Sequence, residues 1–136
     1  MEKDIKSELL TTHTGGCHCG RVRFEVDAPS NIAADQCICS ICAKSGYLHL
    51  IVSADAFRLL QGKEDMETYT FYTGVAKHYF CRHCGVKSFY VPRSHPNGVS
   101  VNVNCLDRDT IRSIEITPFD GQNWEQNAST LSPIRD

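Results

Sequence analysis

Three thiols fall within six positions of this chain, in CICSIC at residues 37–42. Cys17 and Cys19 stand in GGCHCG, Cys81 and Cys84 in FCRHCG, and Cys105 alone in VNVNCLD. Eight cysteines in 136 residues constrain the fold more than any other feature. In a reducing compartment, thiols clustered in this way bind metal more often than they form disulfides. An even count permits four bridges. Yet the Cα atoms of a Cys-x-Cys pair lie near the upper limit of disulfide geometry, and in extended backbone their side chains share one face. The same geometry suits a tetrahedral metal, because a Cys-x-Cys in a strand and a Cys-x-x-Cys in a tight turn each bring two sulfurs within reach of one ion.

The frame around these motifs reads as β structure. Arg21–Val26 alternates, with Val22, Phe24 and Val26 on one face and Arg21, Arg23 and Glu25 on the other. Tyr47–Val52 is apolar on both faces, as in a buried strand. Met66–Tyr72, Lys77–Phe80, Val86–Val91, Val99–Val103 and Ile111–Ile116 are short and rich in β-branched and aromatic residues, with Gly and Pro breaks between several of them. This spacing predicts an all-β sandwich or barrel-like fold of short antiparallel strands with little helix. One helical turn is expected at Ser53–Phe57, with Ser53 as its cap, and another at Asp120–Asn127. Residues 1–14 read as an N-terminal arm and 15–136 as a single domain. The aromatics Tyr69, Phe71, Tyr72, Tyr79, Phe80, Phe89 and Tyr90 are expected in the core, with Trp124 covering one end.

Seven cysteines lie in motifs, and two zinc ions need eight ligands. Spacing leaves the partition open. Two pairs can close one four-cysteine site while the triple keeps an open position. Alternatively Cys105, His18, His83 or His49 supplies a further ligand. His18 and His83 lie inside ligand pairs, where the backbone turns their side chains away from the sulfurs. His49, in an apolar strand, reads as a hydrogen-bonded core histidine, and Cys105 as a small buried residue.

The ordered set GGCHCGRVRFEV, CICSIC, FCRHCGVKSFYVPRS and VNVNCLD resembles the glutathione-dependent formaldehyde-activating enzyme family, closest to its centromere protein V-like branch. The resemblance covers roughly residues 15–125. It implies a mainly β, Mss4-like zinc-binding fold and two Zn2+ per chain. It assigns Cys17, Cys19, Cys81 and Cys84 to a structural zinc. Cys37, Cys39 and Cys42 become the ligands of a catalytic zinc with an open fourth position. The implied reaction is that of a carbon–sulfur lyase: a small thiol such as glutathione and an aldehyde such as formaldehyde join as S-hydroxymethylglutathione. The alternative is a non-catalytic, zinc-stabilised protein-binding module. Ile38 and Ala43 depart from the family's usual residues beside the triple, and no glutathione-contacting motif is recognisable.

Charge and hydropathy narrow the partners. A net charge of -2 gives no basic stripe for nucleic acid. No apolar run is long enough to cross a bilayer, and the opening MEKDIKSELLTTHTGG lacks a signal-peptide core, so a cytoplasmic setting is expected. Three thiolates on zinc, with a substrate thiolate added, carry a net charge of -2 and need a nearby cation. Lys44 and Lys77 are the candidates. The sequence sets no oligomeric state.

Overall fold

The computed structural model describes residues 9–119 apart from positions 38, 73, 93 and 94. Ten strands follow in chain order: β1 (Thr11–Gly16), β2 (Arg23–Ala28), β3 (Asn31–Cys37), β4 (His49–Ser53), β5 (Phe57–Gln61), β6 (Met66–Tyr69), β7 (Lys77–Cys81), β8 (Phe89–Val91), β9 (Gly98–Asn102) and β10 (Ser113–Phe119). One α-helix, α1 (Ser40–Ser45), lies between β3 and β4. Strands β1-β2-β5 form a three-stranded sheet, and β10-β3-β4-β9-β8-β7-β6 form a seven-stranded one. Every pairing is antiparallel except β10 with β3, which is parallel.

The alternation in β2 does what its pattern predicts. Val22, Phe24 and Val26 are buried, and Arg23, Glu25 and Asp27 face outward. The outward side is fastened by ions: Arg58 on β5 binds Glu25 and Asp27. The inward side packs Phe24 against Phe57 and Phe89, and so joins the two sheets in one core with Leu50, Val52 and Val101. β4 is buried on both faces, as its apolar sequence requires.

Three expectations meet structural detail. The expected N-terminal arm, residues 1–14, overlaps a strand: Thr11–Gly16 pairs with β2 over six residues, and His13 is fully buried, held by Thr110 and the Pro29 carbonyl. Polar residues there hid a strand whose ladder does not depend on side-chain character. Tyr69, Phe71 and Tyr72 are not core but 43–79% exposed, because they lie on and just after β6, an edge strand of the large sheet. The turn at Ala54–Ala56 exists, with Ser53 in the cap position, but the Ser53 side chain makes no capping hydrogen bond. The turn expected at Asp120–Asn127, and Trp124, lie outside the described residues. Among the described residues, no helix is long and apolar enough to cross a membrane.

A second, smaller apolar cluster matters most for function. Cys37, Cys42, Tyr47, Tyr90 and Phe119 are buried together, with Cys39, Ile41 and Ala76 packed against them. Strand register builds its wall. His78 pairs with Tyr90 and Tyr90 with Ser100 across β7-β8-β9. Directly opposed residues share a face, so the three side chains form one row. His49 sits one diagonal step away, since its own partner on β9 is Asn102.

Candidate functional site

The first metal-ligand group is built by two matching turns. After β1, Cys17 N–H bonds the Val22 carbonyl, and the Val22 N–H returns to Cys17 Sγ at 3.3 Å. At the end of β7, Cys81 N–H bonds the Val86 carbonyl in the same way, and His83 N–H points at Cys81 Sγ at 3.4 Å. Each turn reverses on a glycine that follows its second cysteine. Gly20 has φ +85 and Gly85 φ +79, conformations that L side chains resist. The turns bring Cys17, Cys19, Cys81 and Cys84 mutually within 4.8 Å.

The geometry fits zinc. Cys17 and Cys19 sulfurs are 3.6 Å apart, and Cys19 and Cys81 sulfurs 3.7 Å. A tetrahedron with zinc–sulfur bonds of about 2.3 Å has an edge of about 3.8 Å. Backbone donors prepare the thiolates. Burial opposes ionisation of Cys84, but the N–H groups of Val86 and Cys19 and the Cys81 thiol outweigh it, and its pKa falls to about 6. Cys19 is lowered chiefly by the Arg21 backbone N–H. Burial and the crowding of sulfurs push Cys17 up to about 11. Four sulfurs this close share their protons unevenly until a cation replaces them.

The second group forms where β3 ends and α1 begins. Cys37 is the last residue of β3, Cys39 caps α1, and Cys42 lies on its buried side. α1 turns into β4 through Gly46, in a left-handed conformation, and so aims His49 back at the thiols. Asn104, in the VNVNCLD motif, secures this turn by donating to the Gly46 carbonyl. Cys37, Cys42 and His49 come mutually within 4.8 Å. Cys39 sits at the margin of this set, less buried than its neighbours. Hydrogen bonding with Cys37, then with Cys42, holds the Cys39 thiol far below its usual pKa. The same contacts raise Cys42 strongly and take Cys37 to about 11.

His49 is both what the sequence suggested and something more. It is a buried histidine, with Nδ1 2.9 Å from Ser100 Oγ and 3.3 Å from the Tyr90 hydroxyl. Its Nε2, however, faces Cys42 Sγ at 3.1 Å. Two ligands of one tetrahedral zinc would stand about 3.5 Å apart at ordinary Zn–S and Zn–N lengths. The contact is a hydrogen bond that orients Cys42, and the same nitrogen lies within metal-ligand reach of Cys37 and Cys42. Burial lowers its pKa to about 3 and keeps the ring neutral.

The remaining candidates separate cleanly. His18 and His83 are exposed, and His83 binds Asp65. Cys105 lies outside both groups, 3.9 Å from the Lys87 carbonyl, and burial pushes it up to about 11. Lys44 and Lys77 are exposed, and Lys77 bonds the Gly74 carbonyl. The cation near the second group is instead Lys87, which the sequence reading missed. It is buried, with Nζ 4.1 Å from the Tyr90 ring centre and 4.7 Å from that of Tyr47. Burial lowers its pKa to about 8, against the opposing pull of the Cys42, Cys39 and Cys37 thiolates. Its place between FCRHCG and a buried strand was the available signal.

Comparison with known proteins supports one relationship. The family model described as "Glutathione-dependent formaldehyde-activating enzyme" matches residues 12–124. A Halomonas elongata protein, provisionally named a glutathione-dependent formaldehyde-activating enzyme, is 31% identical over 109 residues, which span 74% of this chain and 69% of that protein. A crystal structure of a Rhodobacter sphaeroides protein superposes with a TM-score of 0.63 at 34% identity, covering 76% of this chain and 99% of that one.

Proposed function

Because this chain belongs to the glutathione-dependent formaldehyde-activating enzyme family, we propose that it joins a small thiol such as glutathione to formaldehyde, or cleaves the adduct, at a zinc held by Cys37, Cys39 and Cys42. A second zinc, held by Cys17, Cys19, Cys81 and Cys84, stabilises the fold. The observation that carries this reading is the split into a group of four cysteines and a second group of Cys37, Cys42 and His49 with Cys39 packed beside it. One is a symmetric set of four sulfurs served by backbone donors. The other is an asymmetric set in a buried cluster with aromatic side chains, with a histidine and a lysine packed beside it. Closed four-ligand sites are structural, and three-ligand sites are the ones that react.

The reaction is an addition. The thiol sulfur bonds to the carbonyl carbon, the carbonyl π pair moves to oxygen, and the proton lost by sulfur ends on that oxygen. No electrons are gained or lost overall. When bound, zinc supplies acidity to a coordinated thiol and polarises a carbonyl. The chain's own residues hold the protons. Before metal binding, with Cys42 protonated, its S–H donates to His49 Nε2, and Nδ1–H donates to Ser100 Oγ. With Cys42 ionised, as a zinc ligand would be, Ser100 donates to Nδ1 and Nε2–H donates to the sulfur. His49 thus matches either state of Cys42 without taking a charge of its own. The setting is a reducing, cytoplasmic one, in which the eight free cysteines persist as thiols.

The test is to follow S-hydroxymethylglutathione formation by NMR with zinc-loaded protein, and to repeat it with Cys39→Ser. Catalysis above the spontaneous rate that disappears in the variant is the expected result. One observation favours a second reading. The mutual proximity of Cys37, Cys42 and His49 also suits a closed site in which His49 completes three cysteines, leaving a zinc-stabilised binding module. In that case neither protein accelerates the reaction.

A further inference from the structure

The chemistry above leaves Lys87 and His78 without a task, and the structure places both at some cost. Lys87 is 8% exposed and His78 4%. Nζ of Lys87 lies 2.7 Å from His78 Nδ1. An ammonium can only donate, so Nδ1 accepts and the imidazole proton sits on Nε2. That Nε2–H is buried with no hydrogen-bond partner. Native structures rarely leave a buried donor unpaired, and such a group calls for an explanation. The ring cannot turn to find one, since it stacks at 4.6 Å and 13° on Tyr90 and at 5.4 Å on Phe71. No carboxylate pairs with Lys87 among the described residues.

A buried ammonium needs an anion or it sheds its proton. The anions at hand would be the thiolates that a metal draws from the second group, whose charge would favour the Lys87 ammonium. The link between them is short. Lys87 rests on the faces of Tyr47 and Tyr90, both of which contact the His49 ring, and His49 touches Cys42. We infer that Lys87, pinned by His78, is the buried counter-cation of the second metal group, offsetting the excess negative charge that three thiolates leave around a divalent zinc. His78 forgoes a partner for Nε2 because its Nδ1 is committed to fixing the ammonium. The inference rests on the proposed zinc at Cys37, Cys39 and Cys42, but not on the reaction assigned there.

The experiment is chelator competition on the zinc-loaded chain, comparing the wild type with Lys87→Met and Lys87→Arg. The four-cysteine zinc serves as an internal control. Loss of an outer-shell partner typically weakens metal binding by about 10–100-fold. Lys87→Met is therefore expected to release one of its two zinc ions at a correspondingly lower chelator concentration, with the other unchanged. Lys87→Arg, which keeps the charge, is expected to hold both more nearly as the wild type does. Equal retention in wild type and Lys87→Met overturns the inference and leaves the proposed function standing. Loss of both ions together in Lys87→Met overturns it in favour of a role in the fold. A wild type that holds one zinc overturns the inference and the reading beneath it. A wild type with two zincs and no catalysis overturns only the reaction.

Discussion

At the scale of single residues, His78 and Cys39 give the sharpest expectations. Burial lowers the His78 pKa to about 4 from 6.5. The unfolded chain therefore binds the proton first as pH falls, so stability contributed by the neutral ring is complete above pH 6.5 and is lost toward pH 4. The metal-free protein should lose about 3 kcal/mol from this residue across that window. Denaturant melts at a series of pH values, compared with His78→Phe, should show the slope shrinking in the variant. An unchanged slope would place the acid sensitivity elsewhere. Cys39 and Cys81 form a second contrast. Cys81→Ser breaks the four-sulfur group and should abolish most of the folding energy that zinc supplies. Cys39→Ser should leave thermal stability near that of the wild type while removing activity. Equal collapse of the two variants would contradict the division of roles.

Legibility also differed at this scale. The cysteines were readable because thiols at i, i+2 and i, i+3 have few uses other than metal. His49 was readable only as a buried histidine, because its approach to Cys42 depends on how α1 turns the chain. Lys87 carried only the faint signal of its place between FCRHCG and a buried strand. A lysine in sequence looks solvated, and only the closing of β8 over Tyr47 shows that this one is not.

At the scale of elements, the turns and α1 do the positioning. Gly85 at φ +79 permits the reversal that brings Cys84 back beside Cys81. Gly85→Ala has open space for its methyl group, so the cost is conformational alone, about 1–2 kcal/mol. A fall in melting temperature with both zincs retained is the expected outcome. The VNVNCLD segment has a structural role that its sequence did not disclose. Asn104 clasps the end of α1, Leu106 is buried, and Asp107 binds Arg23 and Thr14. Asn104→Ala should therefore loosen α1, weakening the second zinc and sparing the first, as measured by the same chelator competition. The strands that were missed have a common cause. β1 is polar, β3 mixes Ala, Asp and Gln, and β5 lies beside a turn, so none shows the β-branched run or clean alternation by which β2, β4 and β9 were legible.

At the scale of the molecule, two sheets share one apolar core, the four-cysteine group borders it, and the second cysteine group sits in a separate, smaller cluster. The first joins the loop before β2 to the end of β7, and so ties the small sheet to the large one. The second lies over the large sheet and closes nothing. That difference in connectivity is the physical reason for expecting one zinc to hold the fold and the other to be free to react. The parallel pairing of β10 with β3 could not be foreseen from local pattern, since it joins residues far apart in the chain.

The most direct test of the account is a calorimetric titration of glutathione into the protein carrying two zincs, with Cys39→Ser as the control. The account predicts binding to the wild type and none to the variant, since the thiolate enters the position that Cys37, Cys39 and Cys42 leave open. Absence of binding to a folded, two-zinc wild type would contradict it and point to a site closed by His49.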